Sequence, residues 1–256
     1  MNNPSLSSPI KPTSKQTLPS AERIVEEYEQ RDVSAHPLFA WLREHPVNLS
    51  AIWLLVANLR AGISNDFVRW LAVAIERTDD RRIACIVAKQ LNDELGNGEI
   101  DQIHSLLLDR FLAGLDPWKP KRVFHRMLEP GRKLAERAGA LFHDRDPYQG
   151  IGALMVGEIF AKKMDHCLGD EIRRQSSIST DALRWLILHE TLEVDHADDA
   201  LVLAMLIPKR DAVLTSLWQG AMEQWNVLWE FLDGVAALAI PGQELASRKS
   251  RRAPPA

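Results

Sequence analysis

Cysteine is nearly absent: Cys85 and Cys167 are the only two in 256 residues. Two thiols cannot build a disulfide framework and suit a reducing cytoplasm, where each is expected to be a small buried apolar side chain. No uncharged apolar run approaches the about 20 residues of a membrane-spanning helix. A basic excess is also missing, since 31 Lys and Arg stand against 35 Asp and Glu, a net charge of −4. That balance argues against nucleic acid or an anionic membrane as the main partner, because both attract a basic field. The stretch from Met1 to Ser20 holds no apolar segment of the kind that makes a secretory signal. Nor is there an alternating Val/Ile/Thr run of strand length, or an internal repeat.

What remains is a helical pattern between two polar ends. Apolar residues make up 46% of the chain, enough for a substantial core in one large domain or two small ones. Residues 1–19 hold four prolines among serines, and residues 241–256 are basic and proline-rich, so both are expected to be disordered tails. The basic tail is expected to be solvated rather than bound to an anionic partner. The domain is expected over 20–240, as a single all-α bundle. Ser20 suits an N-cap, although Arg23 stands where a capping box needs Glu or Gln. The periodicity predicts helices over 64–78, from Asp80 to the glycines at 96 and 98, and over about 100–114, 120–142, 147–174, 180–206 and 209–239. Pro130 is expected to break or kink the helix over 120–142. Leu214, Leu217, Trp218, Ala221, Trp225, Leu228, Trp229 and Leu232 line the last helix. A tryptophan stripe at that spacing is read as core or as a dimer seam, with a homodimer left open, ahead of a substrate wall.

The chemistry gathers in three places. On the helix that carries His189–Glu190–Thr191–Leu192–Glu193–Val194–Asp195–His196, the side chains His189, Glu193 and His196 fall within about 60° of arc. A lone helical histidine is more often a surface or capping residue; three donors on one face are the arrangement a metal needs. Glu193 rather than His at the fifth position excludes the His-Glu-x-x-His pattern of zinc proteases. Glu158 is the only charged residue in Ile151–Ala161; buried, it calls for a metal or an arginine from another helix, and otherwise it sits at the bundle surface. Third, Asn92–Asp93–Glu94–Leu95–Gly96–Asn97–Gly98 precedes His104, with Asp101 three positions before that histidine. Asp101 and Glu193 thus each precede a histidine by three, and with Glu94 and Glu158 they match the four-carboxylate, two-histidine sites of ferritin-like bundles. His189 has no place in that scheme, which favours a different bundle.

The same residues resemble the heme-oxygenase-like di-iron oxidases and oxygenases, relatives in fold of the TenA and PqqC proteins. Members carry Asp-Glu-x-Gly-x-Gly leading to a His, then a Glu in an apolar helix, then His-x-x-x-(Asp/Glu)-x-x-His. Here these are Asp93–Glu94–Leu95–Gly96–Asn97–Gly98 with His104, then Glu158, then His189, Glu193 and His196, over roughly 30–235. His36–Pro37–Leu38–Phe39 resembles the family's first core helix. The resemblance implies six metal ligands: Glu94, His104, Glu158, His189, Glu193 and His196, with Asp101 competing for the first carboxylate. It implies two iron ions bridged by Glu158. By spacing alone, Glu94, His104 and His196 would hold one ion, and His189 and Glu193 the other. Two departures, Phe39 at the position of a self-consumed tyrosine and Leu168 at that of a lysine, set the chain apart from the branch that makes para-aminobenzoate.

Three imidazoles and three carboxylates without a thiolate suit iron, with manganese also compatible, and are poor for structural zinc. Six side chains do not saturate two ions, so positions remain for oxygen and a substrate. The leading expectation is therefore an oxygen-dependent di-iron enzyme acting on a small molecule by N-oxygenation, desaturation or oxidative C–C cleavage. A metal-free acid–base enzyme of TenA/PqqC type and a non-catalytic helical binding protein are the alternatives. Ala at His189 or His196 should abolish tight occupancy of at least one metal position, whereas His143→Ala should leave metal binding intact. Metal analysis of the three variants checks this, and equal damage from His143→Ala would refute the ligand assignment.

Overall fold

Side-chain caps and prolines decide where several helices begin. Asp80 Oδ1 accepts the Arg82 N–H at 2.9 Å, and Asp146 Oδ1 accepts that of Tyr148 at 3.0 Å just before Pro147. His36 Nδ1 accepts the Leu38 N–H at 3.1 Å just before Pro37. The computed structural model describes residues 20–45, 48–64, 66–174 and 178–242, and within the helix over 184–206 the side chains outside 191–197. The tail over 1–19, nearly all of that over 241–256, and the side chains of Glu193 and His196 lie outside the described residues.

The order is α1 (Ala21–Glu29), α2 (Pro37–Glu44), α3 (Leu49–Gly62), α4 (Phe67–Arg77), α5 (Arg81–Glu94), α6 (His104–Gly114), α7 (Glu129–Phe142), α8 (Pro147–Arg173), α9 (Arg184–Leu206) and α10 (Asp211–Ala239). No strand occurs among the described residues, so the chain is all-α. Several boundaries depart from the periodicity. Pro130 kinks nothing: it stands in the first turn of α7, where a missing N–H costs no hydrogen bond, and His125–Leu128 before it form a short 3₁₀ turn. Ile100–Gln102 form a separate 3₁₀ turn, so α6 starts at His104. Ser20 holds the N-cap position of α1 without a side-chain cap bond.

α8 is buried along most of its length and packs on α10, α9, α7 and α1. Its approach to α10 is backbone to backbone. A Cβ on Gly152 would lie 2.1 Å from the Leu217 carbonyl oxygen, and one on Gly220 would lie 2.0 Å from that of Gln149. The tryptophan stripe of α10 is chiefly core: Leu214, Leu217, Ala221, Trp225, Leu228 and Leu232 are buried. Trp225 meets Tyr28 and Phe160 at ring separations of 5.3 and 5.1 Å. The cysteines depart from expectation. Cys85 is exposed on the outer face of amphipathic α5; Cys167 is half-buried, and burial pushes its thiol up to about 11. No described helix is long and apolar enough to cross a membrane.

Gly152→Ala and Gly220→Ala should each destabilise the protein by about 1–3 kcal/mol through overpacking. Gly157→Ala should be neutral or stabilise by up to about 1 kcal/mol, because its Cβ would meet nothing nearer than Gln224 Nε2 at 3.7 Å. Denaturant titration of the three variants checks the contrast.

Candidate metal centre

A tight reversal brings the first two donors together. Gly96, Asn97 and Gly98 are successive left-handed residues, with φ of 73°, 53° and 89°. Glycine adopts that conformation without penalty, and asparagine tolerates it better than most. Gly96 also has no room for a side chain, since its Cβ would lie 2.7 Å from the carbonyl carbon of Gln102. The chain therefore folds back on itself, and Glu94 at the end of α5 meets His104 at the start of α6. His104 Nδ1 lies 3.1 Å from Glu94 Oε1. The pair lacks hydrogen-bond alignment, and the buried Nδ1 has no hydrogen-bond partner. Two donor atoms at this separation can share one cation.

α9 supplies the third donor. His189 Nδ1 donates to the Trp185 carbonyl oxygen at 2.8 Å, which in the neutral ring leaves the lone pair on Nε2. Such a bond is how metal-binding histidines are commonly oriented. The Trp185 ring lies 4.1 Å from the imidazole and itself stacks on Phe111 at 5.9 Å, so the orientation is packed as well as bonded. The two imidazoles stand 4.7 Å apart, and the donor atoms of Glu94, His104 and His189 lie within 4.8 Å of one another.

The remaining candidates divide. Glu158, at 4% exposure, is buried in α8 and lines the same cavity but stands outside the cluster of three, which excludes a place at the bundle surface. Asp101 is exposed in the 3₁₀ turn, its Oδ2 accepting from Gln102 Nε2 at 3.2 Å, so it does not share a helix face with His104. Glu193 and His196 belong to α9, where their side chains are not described. The fold brings the donor atoms of His189, Glu94 and His104 together, while the side chains of Glu193 and His196, which spacing assigns to separate ions, are not described.

The cavity holds about 110 Å³, room for a small organic molecule rather than for a lone water. Its apolar wall includes Leu59, Phe67, Trp70, Phe142 and Leu228. No lysine or arginine is among the described residues that line it. Ser64 Oγ, Asp165 Oδ1 and Gln224 Oε1 also face it as buried polar atoms without a hydrogen-bond partner. Asp165 and Gln224 escape a reading of motifs. The available signal for Asp165 is its place seven residues, two turns, after Glu158. Burial raises the Asp165 carboxyl well above its ordinary value, and the negative charges of Glu190, Glu158 and Glu94 raise it further. Imidazole nitrogens and carboxylate oxygens around an orphaned His104 Nδ1 fit iron, and manganese equally; neither cysteine lines the cavity.

A model of the family described as iron-containing redox enzyme matches residues 55–229. The chain belongs to this family. The matched stretch of this iron-containing redox enzyme family member holds Glu94, His104, Glu158, His189, Glu193 and His196. Among curated proteins the sequence finds no match. Among solved structures it is similar to a CADD-like protein of unknown function from Nostoc punctiforme PCC 73102. Their TM-score is 0.64 at 14% identity, over 86% of this chain and 98% of that one. It is also similar to a TenA homolog from Pseudomonas syringae pv. tomato str. DC3000, with a TM-score of 0.63 at 13% identity, over 84% of this chain and 90% of that one. At such identities the likeness shows the fold, a TenA-like helical bundle, which agrees with the resemblance carried by the motifs.

Glu158→Gln keeps the size of the side chain and removes its charge. The metal-free variant should melt at or above the wild-type temperature, because one buried negative charge near other carboxylates is gone. It should also bind iron more weakly. A clear drop in the thermal midpoint would mean instead that Glu158 neutralises a structural cation.

Proposed function

We propose that the protein is a non-heme iron oxidase or oxygenase that binds two iron ions and uses O₂ to oxidise a small molecule. The observation that carries this reading is the convergence of Glu94, His104 and His189, with Glu158, on one buried cavity that no lysine or arginine among the described residues lines. Glu193 and His196 would complete the donor set by their places on α9, and Glu158 would join it from α8. Iron held by these residues would supply the electrons for reducing O₂.

The protein's own groups do the rest. The Trp185 carbonyl holds His189 in one tautomer, so its donor nitrogen is ready before the metal arrives. Phe67, Trp70 and Phe142 exclude water and receive the apolar part of the substrate. Gln224 and Ser64 offer hydrogen bonds to its polar part. The reaction classes that suit such a site are N-oxygenation, desaturation and oxidative C–C cleavage. The two free cysteines are at home in a reducing cytoplasm. A metal-free acid–base enzyme would use the Glu94–His104 pair alone and would need no further histidine beside it.

Full-length protein prepared without oxygen and titrated with ferrous iron should bind close to two ions per chain. On exposure to oxygen the loaded protein should consume O₂, faster when its substrate is included from a panel of amino acids, amines and fatty acids. Binding of no iron, or of a single tightly held zinc, would refute the reading. Two irons with slow, substrate-independent oxidation would point to storage.

A further inference from the structure

We propose that Asp165 is an additional carboxylate ligand of the metal centre; the proposal rests on the iron reading above. Asp165 lies on the same face of α8 as Glu158, about 10 Å further along the axis. One turn beyond it, Gly169 marks where α9 crosses: a Cβ there would lie 1.9 Å from Glu190 Oε1. Glu190 is the residue after His189, so Asp165 sits beside the start of the ligand-bearing stretch of α9.

Among the described residues, Arg173, Lys162 and Lys163 of α8 are engaged elsewhere. Arg173 donates to both carboxylate oxygens of Glu190, at 2.6 and 2.8 Å, and to Asp170 at 2.8 Å. Lys162 and Lys163 reach across to Glu29 of α1, at 3.4 Å to Oε1 and 2.7 Å to the carbonyl oxygen. Asp165 itself is 1% exposed, lines the cavity and has an Oδ1 without a hydrogen-bond partner. A carboxylate in that setting stays ionised only beside a positive charge, which the described lining does not provide. Divalent ions supply it. Glu94, Glu158, Glu193 and Asp165 carry four negative charges, which two ferrous ions balance in full, whereas the six motif residues leave one positive charge over.

The test is anaerobic ferrous titration of full-length wild type, Asp165→Asn and Asp165→Glu, with thermal melts of the metal-free forms. Asp165→Asn should lose one of the two irons or bind at least about ten-fold more weakly, the usual scale for an altered metal shell. Its metal-free form should melt no lower than wild type. Asp165→Glu, with the charge kept but displaced, should fall between the two. If Asp165→Asn fails to fold, Asp165→Glu decides: wild-type affinity overturns the proposal, and a several-fold loss supports it. Two irons at wild-type affinity in Asp165→Asn also overturn it, and leave Asp165 as the seat of an organic cation such as an ammonium group. A wild type that binds no iron overturns the underlying reading instead, so the two failures are distinct.

Discussion

Carboxylates held in an apolar interior repel one another and call for positive charge, and this constraint organises the molecule. Glu94, Glu158 and Asp165 share a cavity walled by aromatic and aliphatic side chains, with no lysine or arginine in its described lining. Isolated buried carboxylates respond by taking up protons, and the raised Asp165 carboxyl shows that tendency. Imidazoles placed among them serve a different end, since a neutral ring neutralises nothing but gives a lone pair. The combination is expensive for a structural core and apt for a divalent metal.

The surrounding fold keeps these groups from relaxing apart. α8 meets α10 through glycines that allow backbone contact, so the helix bearing Glu158 and Asp165 has little freedom to shift. The left-handed reversal after α5 fixes Glu94 against His104. His189 is fixed by a carbonyl on one side and an indole face on the other. Each donor is thus held by a separate local device.

Much of this was legible in the sequence, and the reasons differ by residue. His189 announces itself through its helical spacing from Glu193 and His196, whose side chains lie outside the described residues, and Gly96 and Gly98 announce a reversal because few other residues turn that way. Glu158 stands out as the one charge in an apolar run. Asp101 misleads because spacing assumes a continuous helix, whereas a 3₁₀ turn separates it from His104. Pro130 misleads because proline has two meanings, kink or first turn, and only the preceding irregular chain distinguishes them. Asp165 is silent because Lys162, Lys163 and His166 surround it in sequence and make it look like part of a solvated face. Cys85 shows the converse: composition favours burial, yet its position on the outer side of α5 overrides it.

Part of the cavity wall comes from helices that carry none of the described donors. Glu94, His104, Glu158 and His189 lie on α5, α6, α8 and α9, whereas Leu59, Phe67, Trp70, Phe142 and Gln224 are brought by α3, α4, α7 and α10. Such a division lets one part drift in evolution while the other stays fixed. A change at Phe67 or Trp70 reshapes the space open to an organic molecule without moving a ligand. On the proposed reading, a lineage built on this scaffold can therefore exchange one substrate for another by altering its aromatic wall while the metal ligands stay in place.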